Sequence, residues 1–130
     1  MADKGPNPFV VDIEKATLDN EAFRDTLWTG KNLQLTVMTI PVGGEIGAEI
    51  HDDHDQFLRL EEGELRAQIG PSEDDLEIDE VVKADWAAFV PAGKWHNFVN
   101  ESDAPAKLYS IYSPPEHAPG PPPRDQGGRG

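Results

Sequence analysis

Cysteine is absent from the 130-residue chain. No disulfide framework can form, and no thiolate is available as a nucleophile or a metal ligand. Basic side chains are few: 11 Lys and Arg stand against 25 Asp and Glu, a formal net charge of −14. They are scattered and form no cluster. Such a surface repels nucleic-acid phosphates and anionic lipid headgroups, so neither nucleic acid nor membrane is an expected partner. The same acid excess would also suit a cytoplasm of high salt. No apolar run is long enough to cross a bilayer. The opening "MADKGPNPFV" lacks the basic-then-apolar pattern of a signal peptide, so a cytoplasmic location is expected. No serine sits in a nucleophile-elbow motif, and nucleophilic catalysis has no support.

What the chain has in quantity is turn chemistry. Twelve Gly and twelve Pro interrupt short runs rich in branched residues, the pattern of a β-sandwich or barrel. Residues 1–113 read as one domain. "FVVDI" can pair as an edge strand, and 13–23 can hold a short helix, with Asp19 or Asn20 near its start. Strands are expected within "FRDTLWTG", 32–40, 48–51, 56–63, 64–70, "VVKADWAAFVP", "AGKWHNFVN" and 106–112. The acidic stretch 71–80 reads as a solvated hairpin tip, because it lacks the glycine and terminal glutamate of a calcium loop. Residues 114–130 are dominated by Pro and Gly and read as a flexible tail, with His117 a solvated histidine inside it.

The chemistry concentrates in "GGEIGAEIHDDHDQFLRLEEG", residues 43–63. Side chains alternate faces along a strand, so Glu49 and His51 point the same way. Gln56 can face them across the turn "DDHD", and His96 in "PAGKWHNFVN" can join them if a barrel closes. Two imidazoles and a carboxylate match the donors of a facial-triad iron site. The same residues are also compatible with an acidic surface that merely carries histidines, and the residues alone leave both readings open. His54 is out of phase with His51 and is expected to be exposed. Asp52, Asp53 and Asp55 read as turn residues, with Asp55 able to orient His51. Phe98 shares the face of His96 and is the better pocket candidate, the other aromatics being assigned mostly to the core. Arg59 and Trp95 fall on the opposite faces of their strands, which suits Arg59 to the surface or an interface.

The spacing of Gly43, Glu49, His51, Gln56 and Gly63 resembles the first motif of the cupins, and Pro91, Gly93, His96 and Asn100 match the second. In that family the first motif carries His at the positions of Glu49 and His51, and Glu at that of Gln56. The likeness spans roughly 32–113. "LWTGKNLQLTVMTI", "DQFLRLEEG" and "LYSIYSPPEH" further resemble a subgroup of small bacterial cupins, loosely labelled mannose-6-phosphate-isomerase-like. The resemblance implies an all-β, double-stranded β-helix (jelly roll) with a short N-terminal helical segment. It also implies one divalent transition metal held by Glu49, His51, Gln56 and His96, with Gln56, the weakest donor, either a ligand or a hydrogen-bond partner of a metal-bound water or of Glu49. Their summed charge equals that of the usual three His and one Glu. The oxygen share favours Fe or Mn, with Zn or Ni as further choices.

A small-molecule substrate follows, but no catalytic acid or base is identifiable beyond unligated carboxylates and the tyrosines. Three functions are open: a metal-dependent dioxygenase, taken first; a non-redox isomerase, epimerase or lyase on a sugar-like or hydroxy-acid substrate; and a non-catalytic cupin that binds a small ligand. A homodimer joined through the N-terminal strand is expected.

Overall fold

Two antiparallel sheets face each other across an apolar core in the structure, a computed structural model that describes residues 2–115. His117 and nearly all of the expected tail lie outside the described residues. Helix α1 (Ile13–Asp19) precedes the strands β1 (Arg24–Thr29), β2 (Gln34–Ile40), β3 (Glu49–Ile50), β4 (Asp55–Glu62), β5 (Glu64–Gly70), β6 (Ile78–Lys83), β7 (Ala87–Val90), β8 (Trp95–Val99) and β9 (Ala106–Ser113). One sheet runs β1-β2-β9-β4-β7, the other β3-β8-β5-β6. This is the expected jelly roll.

Alternation along the strands builds the core. In β4, Gln56, Leu58 and Leu60 are buried, while Asp55 is exposed and Phe57 and Arg59 are half-buried. Leu65, Ala67 and Ile69 of β5 meet them from the other sheet, with Met38, Ile40, Phe98 and Leu108 completing the same cluster. Each fully buried leucine contributes on the order of 2 kcal/mol. Gly63, at φ +89°, joins β4 to β5, and a Cβ there would lie 2.7 Å from the Pro105 carbonyl oxygen.

Three expectations are corrected. The helix begins at Asp12, whose carboxylate accepts the Lys15 amide at 3.1 Å, and ends at Asp19 with Asn20 as its C-cap. Asn20 cannot start a helix because its side-chain amide donates to the Ala22 carbonyl and to Thr39 Oγ1, tying the chain to β2. "FVVDI" forms no strand: Asp12 is used as the cap, and Val10 is 97% exposed. The leading segment is fastened instead by Asp3, which accepts from the Thr29 amide and hydroxyl, and by Trp28, which donates to the Asn7 carbonyl. Finally, 71–80 is turn only as far as Glu77. Residues from Ile78 onward pair with β5, and Asp79 there holds Arg66 at 2.7 and 2.9 Å.

The aromatics also depart from expectation. Phe89 and Trp86 are exposed, and Phe57 packs against Phe89 and Tyr109 rather than joining the core cluster. No helix among the described residues is long and apolar enough to cross a membrane.

Candidate functional site

After β2 the chain turns at Gly43, φ +79°, and runs antiparallel to β8. Backbone bonds fix this run: Gly43 N to Asn100 O, Asn100 N to Gly44 O, and Ile46 N to Phe98 O. The Asn97 side chain adds a bond from the Gly47 amide at 3.0 Å. The register therefore sets Glu49 directly opposite His96. His51 follows at the end of β3, its carbonyl accepting the Gly93 amide at 2.7 Å. The chain then crosses to the other sheet and enters β4, where Gln56 lies in register with Val90 and Tyr112. Glu49, His51 and His96 thus approach from one sheet and Gln56 from the other.

His96 is fully buried and Gln56 nearly so. Glu49 Oε2 stands 3.2 Å from His51 Nε2, and the rings of His51 and His96 are 5.1 Å apart. His96 Nδ1 lies 3.4 Å from the Lys94 carbonyl oxygen. Donation there leaves the lone pair on Nε2, the form that ligates metals. Burial pushes the His96 imidazole below its ordinary 6.5, and His51 and His54 push the same way; the Lys94 carbonyl and Glu49 oppose them. Gln56 Nε2 donates to Ser110 Oγ at 3.4 Å and to Tyr112 Oη at 3.3 Å. Phe98 stands beside His96 with ring centroids 6.2 Å apart and belongs to the apolar core, so it forms the floor of the site.

Two further expectations are corrected. Asp55 does not orient His51: its carboxylate accepts the Ala92 amide at 2.8 Å, bracing the turn that leads into β8. His54 is not exposed. It is 7% exposed, with its ring 4.4 Å from that of His51 and 6.1 Å from Tyr112. Sequence reasoning missed it because alternation holds within a strand, and residues 52–54 cross between sheets. The short length of that crossing was the available signal. Ser110 was missed as well; it shares the inward face of β9 with Leu108 and Tyr112, the latter one of the aromatics open to a pocket role. Arg59 is on the outer face, bonded to Asp85 at 3.1 Å, and Trp95 is half-buried, both as expected.

The donors suit a cation in kind. His96 Nε2 and Gln56 Oε1 are buried without a hydrogen-bond partner, a condition that costs about 1–3 kcal/mol per group and that an ion would relieve. The buried carboxylate of Glu49 calls for a positive counter-charge. As they stand, no three His, Asp or Glu side chains among the described residues converge on a common point close enough to hold an ion. Glu49 and His51 face each other instead. A cavity of about 560 Å³ lies elsewhere, between α1 and strands β1 and β2.

A family model described as a cupin domain matches residues 36–112. The uncharacterized protein YrkC of Bacillus subtilis is 50% identical over 117 residues, covering 90% of this chain. The chain spans 63% of that relative's length. The crystal structure of BH2720 from Bacillus halodurans is 53% identical, with a TM-score of 0.90 over 92% of this chain and 91% of that one. Bacillus subtilis oxalate decarboxylase, a protein with Mn(II) centres, shares the fold at 18% identity and a TM-score of 0.61, over 68% of this chain and 23% of its own. The match over most of the strands, the near-identical fold of BH2720 and the two motifs together establish that this chain belongs to the cupin family.

Proposed function

We propose that this cupin is a metal-dependent enzyme acting on a small polar molecule, with dioxygenase chemistry as the first reading. Glu49, His51 and His96 hold one divalent ion, Fe or Mn, with the Gln56 amide beside them. The observation that carries this is the burial of His96 Nε2 and Gln56 Oε1 without hydrogen-bond partners, beside a carboxylate, in a site that draws on both sheets. When bound, the ion supplies a Lewis-acid centre with positions open to oxygen and to a substrate atom. The chain does the rest. The Lys94 carbonyl orients His96, Tyr112 and Ser110 hold the Gln56 amide, and Phe98 walls the site with apolar surface that excludes water. The Mn(II) centres of the distantly similar oxalate decarboxylase support the kind of metal, not the substrate.

A non-redox isomerase or lyase is favoured by one observation. The Tyr112 hydroxyl, 3.3 Å from Gln56 Nε2, is a proton carrier at the edge of the donor set. Elemental analysis of the purified protein beside Glu49→Ala and His96→Ala tests the shared premise. Near-stoichiometric metal in the wild type, lost in both variants, is expected. Oxygen uptake with candidate substrates then separates the two readings, being absent for the isomerase. A wild type that takes up no metal after reconstitution with Fe, Mn, Zn and Ni ends both.

A further inference from the structure

His54 stands in a turn between three aspartates, Asp52, Asp53 and Asp55, all of them exposed. A polar side chain in such a turn normally stays in water. His54 gives up its hydration and is 7% exposed. Its ring lies 4.4 Å from that of His51 at an interplanar angle of 31°, and meets Tyr112 edge-on at 6.1 Å. Its Nδ1 is 3.0 Å from Asp53 Oδ1, and Asp53 itself stays in solvent. With Nδ1 donating to that carboxylate, the lone pair falls on Nε2, which is buried on the inner side. A carboxylate on the outer nitrogen and a lone pair on the inner one is the arrangement that orients a metal-holding imidazole and raises its basicity.

We infer, on the metal reading above, that His54 is a metal ligand of this site, placed by Asp53. The donors are then three imidazoles and one carboxylate, Glu49. A neutral imidazole nitrogen is a stronger donor to Fe than an amide oxygen. Gln56 therefore serves through its bonds to Ser110 and Tyr112, positioning the site from the second sheet. Because His54 arrives from the crossing between β3 and β4, it brings a donor from a segment that touches both sheets.

The test is Mn²⁺ binding by calorimetry and pulsed EPR of the Mn²⁺-loaded protein, in wild type, His54→Ala, His54→Gln, Asp53→Asn and His96→Ala. Expected for His54→Ala and His54→Gln is an affinity loss of about tenfold or more, with one histidine nitrogen coupling fewer than wild type. Asp53→Asn should weaken binding less and keep every coupling. His54→Gln keeps the side-chain bulk, so it serves if the alanine variant fails to fold. Unchanged affinity and an unchanged number of couplings in His54→Gln, with His96→Ala unable to bind, would overturn the role of His54 and leave the metal reading intact. No Mn²⁺, Fe²⁺ or Zn²⁺ uptake by the wild type would bring down the metal reading and this inference with it.

Discussion

At the residue scale, His96 and Gln56 carry opposite lessons about burying polarity. His96 is held below its ordinary 6.5 chiefly by burial, so it resists protonation in the folded chain. In the metal-free protein the sign follows from linkage. Above 6.5 neither folded nor unfolded chain protonates this ring, and its contribution is fully present. Below 6.5 the unfolded chain binds a proton that the folded chain refuses, so stability falls as pH drops towards the folded value. The melting-temperature difference between wild type and His96→Gln, measured in chelator from about pH 8 to pH 5, should therefore shift against the wild type below 6.5. A difference that stays constant across that range would refute the assignment. Gln56→Glu tests the other sign. A second carboxylate buried at this position is costly without a counter-charge and compensated with one. The metal-free variant should melt lower than wild type, and saturating Mn²⁺ should raise its melting temperature by more than it raises the wild type's. Equal shifts would mean that this side chain does not sense the ion. Glu49, His51, Gln56 and His96 were legible because each sits in or beside a strand whose alternation assigns a face. His54 was not, since its burial depends on how a turn packs between two sheets, which no local period encodes.

At the element scale, two glycines with the same backbone angle separate conformational strain from steric collision. Gly63 and Gly93 both have φ +89°, but a Cβ on Gly63 would meet the Pro105 oxygen at 2.7 Å and Ala106 Cα at 3.0 Å, whereas Gly93 has nothing within 4 Å. Gly93→Ala should cost about 1–2 kcal/mol, the left-handed penalty alone. Gly63→Ala should cost more, because the β4–β5 junction must also shift away from backbone atoms that cannot rotate aside. Urea denaturation of both variants checks this, and equal losses would show that the junction relaxes freely. Asp55→Ala removes the bond to the Ala92 amide and should cost about 1 kcal/mol, with metal affinity falling as the turn before His96 loosens. Asp55→Asn, which keeps an acceptor, should restore most of both. Most strands could be read from alternation and turn residues. The start of β6 could not, because its exposed acids read as loop while Asp79 is held by Arg66 across the sheet. The helix start was hidden because Asp12 follows "FVV", a strand-like run, and a cap is recognised only by the turn it closes.

At the scale of the whole molecule, a net charge of −14 sets long-range repulsion against a few local attractions. The attractions are visible: Lys15 with Asp19 largely in solvent, and Arg66 with Asp79 and Lys94 with Glu77 partly exposed. Exposed pairs of this kind contribute about 0–1 kcal/mol each. With 25 acids against 11 bases, most carboxylates have no cation to pair with. Salt weakens both effects, but the Debye length shrinks from about 30 Å at 0.01 M to about 3 Å at 1 M, so it removes the long-range repulsion while pairs in contact keep part of their attraction. Repulsion should therefore dominate the salt response. The melting temperature of the metal-free protein should rise steadily with NaCl across that range, and the rise should be smaller in a variant with several exposed acids changed to their amides. The same field draws divalent cations inward, so the association rate of Mn²⁺ should fall over the salt range in which stability rises. Stopped-flow binding measures that rate directly. A rate insensitive to salt would mean that the acidic surface plays no part in loading the site. A fall in melting temperature with salt would mean that the exposed pairs outweigh the excess charge.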